Sequence, residues 1–230
     1  MARLTASLFS TALGFWEEKG DKRVELWEQK VFGKKPVVSK SNYEAMLWGS
    51  TKEGKAIDRY KDITGNVVEK FGFQIYLQWL GASPDGLITR FRSGVVEDSD
   101  GILEVKCPYN DGKPELGKAW TSVPYYLMPQ VHGLMEILDR NWMDLYCWTP
   151  TESSIFRLQR DHDYWALIFE PLREFWFENV VPARQAHETH GKDNAYQYKP
   201  SPKHSLTNDI IAQSKVIAER ASLTCKKFSG

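Results

Sequence analysis

The order of patterns along this chain predicts an α/β fold in which a mixed β-sheet is flanked by helices. Helix-period segments occupy the N-terminal part. A run of short β-branched and aromatic segments follows, broken by Gly, Pro and Asp, and helical patterns then frame a second pair of strands. Strands interleaved with helices in this way pack as a sheet covered by helices.

Element by element, Thr5 or Ser7 caps a short helix ending at Leu13, with Gly14 as its stop. Asp21 caps a second helix in "DKRVELWEQKVFG", where Val24, Trp27 and Val31 share a face. A longer helix covers about Asn42 to Thr64 and closes at Gly65. Its inward stripe reads Met46, Ser50, Glu53, Ile57, Tyr60 and Thr64, in alternating steps of four and three, with an acid in its middle. "NVVEKFGFQIYL" and "WLGASPDGLITRF" read as strands around turns, and "DSDG" turns the chain into "ILEVKC". "VPYYLMPQVHGLMEILD" is a helix reached through prolines, and "WMDLYCWTP" with "SSIFRLQRD" is a hairpin. "HDYWALIFEPLREFWFENVV" is a long aromatic helix kinked at Pro171. Residues 1–190 thus form the folded domain, and 191–230 a polar C-terminal extension with a short helix near Asn208 to Leu223.

At 230 residues, 42% hydrophobic and 13% aromatic, the chain can bury a substantial core and is not of the disordered class. Lys+Arg 30 balances Asp+Glu 30, so any polyanion must be met by a local arrangement and not by net charge. Three widely spaced cysteines without a CxxC pair argue against a disulfide framework or a zinc site and for a reducing compartment. No stretch has the length and apolarity of a membrane span, and the N-terminus shows no signal-peptide pattern.

The chemistry concentrates in "GILEVKCPY". Side chains alternate along a strand, so Glu104 and Lys106 share one face while Leu103, Val105 and Cys107 share the other. Charge in such a strand is costly unless it is paired or binds a metal. A cross-strand ion pair explains the two residues as well as a site does. Upstream, "GASPDGLI" places Asp85 in a tight turn, where turn chemistry alone accounts for it. Glu53 is either a solvated acid between Lys52 and Lys55 or a further carboxylate for the same cluster. Taken jointly, three carboxylates and a lysine point to oxygen ligands for a hard cation, Mg²⁺ or Mn²⁺, with the Val105 carbonyl as an added donor. Lys106 would then hold water beside a phosphodiester.

"GASPDGL" followed by "LEVKCP" resembles the PD-(D/E)XK nuclease core in its phage lambda-type exonuclease form, the YqaJ-like viral recombinase family. "LTASLFSTALGFW", "EGKAIDRY" and "YYLMPQVHGLMEIL" resemble that family's first helix, acid-bearing helix and glutamine helix, over about Leu4 to Arg184. The wording around "MEILDRNWMDLYCWTP" is most similar to plant homologues. The resemblance implies a restriction-endonuclease-like core. It implies Mg²⁺-dependent 5′-to-3′ digestion of linear duplex DNA to mononucleotides, leaving 3′ single strands for recombination or repair. Asp85, Glu104, the Val105 carbonyl and Glu53 match the metal-binding positions, and Lys106 matches the catalytic lysine.

Ser7 and Ser83 match two serines that hold the 5′-phosphate, and Gln130 and His132 stand where the family has two glutamines. Residues two apart on a helix do not share a face, so one of that pair is expected to face the site. The family's phosphate-binding arginine falls just before Met1, leaving either an upstream residue or Arg3 for that role. The likeness further implies a homotrimer, a single-strand annealing partner and an intracellular setting, an organelle or the nucleus for a plant source. A PD-(D/E)XK endonuclease or nickase would share the same core, and a DNA-binding protein with a dead site would be expected to have lost one of Asp85, Glu104 and Lys106. No GxSxG, Walker loop or dinucleotide fingerprint offers another chemistry.

Overall fold

The computed structural model describes residues 3–16, 20–36, 38–92 and 94–228. The strands are β1 (Leu4–Thr5), β2 (Val67–Glu69), β3 (Gln74–Tyr76), β4 (Leu80–Ala82), β5 (Gly86–Arg92), β6 (Val95–Lys106), β7 (Trp142–Trp148), β8 (Glu152–Gln159) and β9 (Ser222–Phe228). The helices are α1 (Phe9–Ala12), α2 (Lys22–Phe32), α3 (Lys40–Thr64), α4 (Met128–Ile137), α5 (His162–Glu174), α6 (Val181–His190), α7 (Lys192–Ala195) and α8 (Thr207–Arg220).

Alternation in β6 organises both faces of the main sheet, whose order is β2-β5-β6-β7-β8-β9. The β6–β7 pair is parallel and the other neighbours are antiparallel, so the sheet is mixed, as the sequence predicts. Leu103 and Val105 join Ile88, Tyr146 and Ile155 beneath Ala56 and Tyr60 of α3. Ile102 joins Met143, Leu145, Phe156 and Leu158 in the larger core, with Val131 and Leu134 of α4 and Trp165 and Ile168 of α5. Asp144, buried inside this sandwich, is paired. Arg157 binds Asp144 through two bonds of 2.6 and 2.9 Å, and the Tyr60 hydroxyl donates to the same carboxylate at 2.7 Å. A smaller sheet, β1-β4-β3, sets β1 parallel to β4.

Four features depart from the sequence expectations. "DSDG" is not a turn but part of β6, whose pairing with β5 shifts register near Arg90. Asp98 makes one turn-like local bond within a bulged strand, accepting from the Asp100 N–H through Oδ1 at 2.9 Å, and one long-range bond, accepting from Trp142 Nε1 of β7 through Oδ2 at 2.6 Å. The α3 stripe has the right period, yet only its second half meets the sheet. Ala56 and Tyr60 are buried, while Met46 is 65% exposed. Pro171 sits inside α5, and the irregularity comes after it, as a π-helical stretch over Phe175–Val180 that turns Phe175, Trp176 and Val180 inward. The polar stretch after 190 carries α8 and also β9, which pairs antiparallel with β8 as the edge of the main sheet.

α4 joins the two ends of the fold. Gly133 lets it press on the first helical turns, since a Cβ there would stand 2.5 Å from the Phe9 ring. His132, expected among the DNA-contacting residues, is instead in the core. It is 0% exposed, packs 4.9 Å from the Tyr164 ring, and accepts from the Asp161 N–H through Nδ1 at 3.3 Å. The apolar side of α4 needs volume there, and an imidazole supplies it in neutral form.

Two predictions follow from this helix. Helix propensity favours Ala over Gly by about 1 kcal/mol, but Gly133→Ala is expected to destabilise by roughly 1–3 kcal/mol through overpacking against Phe9. Urea unfolding measures the difference, and a stabilised variant would contradict this packing. Burial pushes His132 down to about 4, against the smaller opposing pull of Asp161. The unfolded chain takes up the proton near 6.5, so the stability contributed by neutral His132 is complete above that pH and lost as pH falls from about 6.5 to about 4. His132→Gln is expected to flatten the decline in unfolding free energy across that window by on the order of 2–3 kcal/mol. Parallel pH profiles of the two proteins would refute it.

Candidate active site

Strand β5 begins at Gly86, opposite Leu103, whereas β6 continues to Lys106 beside β7. The β5 side of Glu104, Val105 and Lys106 therefore lacks a strand neighbour. Asp85 fills the gap from the turn, and the Val105 N–H donates to Asp85 Oδ2 at 2.6 Å. Gly86 is required in this corner, since a Cβ there would meet the Val68 side chain at 2.3 Å.

Glu104 is 5% exposed. Its Oε1 accepts from Lys106 Nζ and from Gln130 Nε2, both at 2.7 Å, and Lys106 Nζ also reaches Gln130 Oε1 at 3.3 Å. The other oxygen, Oε2, is buried without a hydrogen-bond partner among the described residues. Burial raises the Asp85 carboxyl to about 8, reinforced by the charges of Glu104 and Glu53 and opposed by the Val105 N–H. Burial lowers Lys106, but the charge and hydrogen bond of Glu104 outweigh it and hold the ammonium above its usual value. Burial also pushes the Cys107 thiol up to about 12, with Asp85 and Glu53 adding to the shift, so it stays an uncharged wall residue.

A cleft of about 470 Å³ opens over this group, lined by Met46, Gly49 and Glu53 of α3 and by Asp85, Glu104, Lys106 and Cys107. α3 thus brings Glu53 to the same cleft from the opposite face of the sheet. Among the described residues no three acidic, His or Cys side chains converge as a closed ligand set. Mg²⁺ does not require one, because it usually keeps several waters and takes one or two carboxylates. The unpartnered Glu104 Oε2, Asp85 beside it and the all-oxygen character of the donors fit a hard cation.

Ser7 and Ser83 leave the small sheet at the same end. Thr5 pairs with Gly81 in parallel register, and each serine lies two residues further on. Both are exposed, and Ser7 Oγ lies 3.2 Å from Thr5 Oγ1. The helical turns that follow Ser7 are short, so the macrodipole adds little there. Arg3 precedes β1, and its carbonyl accepts from Lys30 Nζ at 2.7 Å. Of the two α4 candidates, Gln130 reaches Glu104 and Lys106 and His132 does not. Tyr126, whose phenol feels the Lys106 charge, was not anticipated. Its place one helical turn before Gln130 was a readable signal.

Size does not select this site. A larger cleft of about 580 Å³ is lined by Arg157, Arg160, Asp161 and Arg220. Arg157 there is engaged by Asp144, and Arg160 by Glu136 and Asp139, so two of its three guanidiniums are already neutralised.

Residues 1–141 match the YqaJ-like viral recombinase domain, more than half of the chain. Among solved structures the chain is similar to an alkaline exonuclease, LHK-Exo, from Laribacter hongkongensis, with 22% identity, a TM-score of 0.58, and coverage of 85% of this chain and 94% of that one. The structure of LHK-Exo in complex with dAMP gives 21% identity, a TM-score of 0.56 and the same coverage. A phage related exonuclease from Haemophilus somnus 129PT shares 12% identity with a TM-score of 0.50, covering 92% of this chain and 96% of that one. No curated protein matches the sequence. The fold is that of these exonucleases, and the match over residues 1–141 makes the chain a member of the YqaJ-like viral recombinase family.

Proposed function

We propose that the chain is a metal-dependent exonuclease that hydrolyses linear duplex DNA 5′ to 3′, releasing mononucleotides. The observation that carries this reading is the Asp85–Val105–Glu104–Lys106–Gln130 assembly at the free end of β6, with a buried carboxylate oxygen left without a partner. Asp85, Glu104 and the Val105 carbonyl would hold Mg²⁺ (or Mn²⁺), with Glu53 in support from α3. Once bound, the cation supplies charge neutralisation at the phosphate and a more acidic water.

The chain's own residues do the rest. Lys106, kept charged by Glu104, orients water against the scissile phosphate. Gln130 fixes the Lys106 and Glu104 head groups relative to each other. Ser7 and Ser83 offer two hydroxyls at one end of the small sheet for a terminal 5′-phosphate, with Arg3 upstream of them. Counting from a phosphorylated end sets the direction of digestion and leaves a 3′ strand. Assembly as a homotrimer and hand-over of that strand to an annealing protein rest on the family likeness.

Linear 5′-phosphorylated duplex, linear 5′-hydroxyl duplex and closed circular DNA, each incubated with Mg²⁺, test the reading. Mononucleotide release confined to the phosphorylated linear substrate is expected. Cutting of the circle would instead identify an endonuclease. Lys106→Ala is expected to lower the rate by roughly 10²–10⁴-fold, with Asp85→Asn and Glu104→Gln at least as severe and Glu53→Gln milder. Lys106→Ala leaves Glu104 without its cation and should also melt lower, so rates are compared below each variant's thermal midpoint. Full activity in any of the first three would remove that residue from the mechanism.

A further inference from the structure

α3 carries a second stripe. Trp48, Lys52, Lys55 and Arg59 recur in steps of four, three and four, which places them on one face of the helix. At 3.6 residues per turn this face lies about 130° around the helix from the one that presents Met46, Glu53 and Tyr60. Lys52 Nζ stands over the Trp48 ring at 4.8 Å, and Lys55 Nζ over the Trp148 ring at 5.8 Å. The two indoles stack with centroids 6.5 Å apart, and Tyr109 lies 6.4 Å from Trp48. Trp148 ends β7 and Tyr109 follows β6, so Lys52 and Lys55 stand near the strand ends beside the cleft, and Arg59 continues the face one turn further along the helix.

The other lysines of α3 behave differently. Lys40 lies 3.9 Å from Glu44, and Lys61 3.5 Å from Asp58. Lys52, Lys55 and Arg59 form no ion pair among the described residues. Lys34 of the short basic cluster at 33–35 pairs with Glu28 at 2.6 Å. The side chain of Lys227, in the cluster at 225–227, lies outside the described residues. Glu53 and Asp58 lie between these cations in sequence and Asp62 follows one turn on, yet among the described residues none of them pairs with Lys52, Lys55 or Arg59.

We propose that Lys52, Lys55 and Arg59 form a contact surface for a nucleic-acid phosphate backbone alongside the cleft, an inference that rests on the nuclease reading. At about 1.5 Å of rise per residue the three charges span about 10 Å of helix axis. That is the axial run of about three phosphates of one strand, at about 3.4 Å each. Indole faces hold two of the ammonium groups, so less side-chain freedom is lost when a phosphate arrives. Glu53 lines the cleft, while Lys52 beside it and Lys55 two residues on stand on another face of the same helix, available to a strand that passes over α3.

The test is equilibrium binding in metal-free buffer, where cleavage is off, using full-length protein, a 5′-phosphorylated duplex and a single strand of the same length across a salt series. Lys52→Gln, Lys55→Gln and Arg59→Gln are made singly and together, with Lys55→Arg as the charge-keeping variant. Each neutralisation is expected to reduce the slope of log K against log salt by about 0.9 if the stripe grips duplex, or by about 0.7 if it grips a single strand. Lys55→Arg should keep the wild-type slope. A triple variant that melts like wild type and binds with the wild-type slope overturns the stripe and leaves the nuclease reading standing. A wild-type protein that binds neither DNA overturns both. Should the triple variant fail to fold, the single-variant slopes decide the matter.

Discussion

The hydrogen bond from the Val105 N–H to Asp85 is the contact on which the site depends. A strand that outruns its neighbour exposes backbone donors that must be satisfied, at a cost of about 1–3 kcal/mol for each one buried and unmet. Here the donor is met by a carboxylate from the turn that ends the neighbour strand's approach. One bond therefore closes the sheet edge, orients the Pro84–Gly86 turn and sets Asp85 beside Glu104. The following strand, β5, can begin only where this turn releases it, at Gly86 opposite Leu103. Sheet topology and carboxylate geometry are the same fact seen at two scales.

The cost of that arrangement is concentrated charge. Asp85, Glu104 and Glu53 gather with one lysine among them, and Asp85 responds by holding its proton to about 8, chiefly because it is buried. Buried ion pairs contribute little net stability when they replace packed apolar groups. Lys106 and Gln130 satisfy one oxygen of Glu104 and leave the other unmet. A fold selected for stability alone would place Leu or Val here, as β6 does on its other face with Leu103 and Val105. The excess of carboxylate over cation is the feature that a hard metal ion would correct.

Much of this was legible in the sequence because it is encoded over short range. Period-two alternation put Glu104 and Lys106 on one face, and Pro-Asp-Gly put Asp85 in a turn. The mixed sheet with helical layers followed from the order of patterns. What escaped was long-range. Nothing local in "SLTCKKF" says that it pairs with β8, since edge strands can be polar and their partner lies far away in sequence. Period also reports a face without saying what covers it, so Met46 read as core although it is exposed. The two candidates on α4 show the same limit. Gln130 and His132 were separable into different faces by geometry, but only packing against Tyr164 shows which of them is inside.

α3 gathers these threads. Its second half is anchored by Ala56 and by Tyr60, whose hydroxyl is held by Asp144, itself clamped by Arg157. In its first half Tyr43, Met46 and Leu47 are exposed, and Trp48 reaches the sheet at Trp148, the end of β7. Glu53 precedes Tyr60 by seven residues, about two turns on the same side of the helix. It therefore sits near the boundary between the held and the open halves. Among the described residues no side-chain hydrogen bond or ion pair holds Glu53, and the anchor two turns away positions it over the cleft through a helix whose backbone bonds are continuous from Lys40 to Thr64. The acid that reaches the cleft from across the sheet is thus the one whose placement depends most on residues outside the cleft.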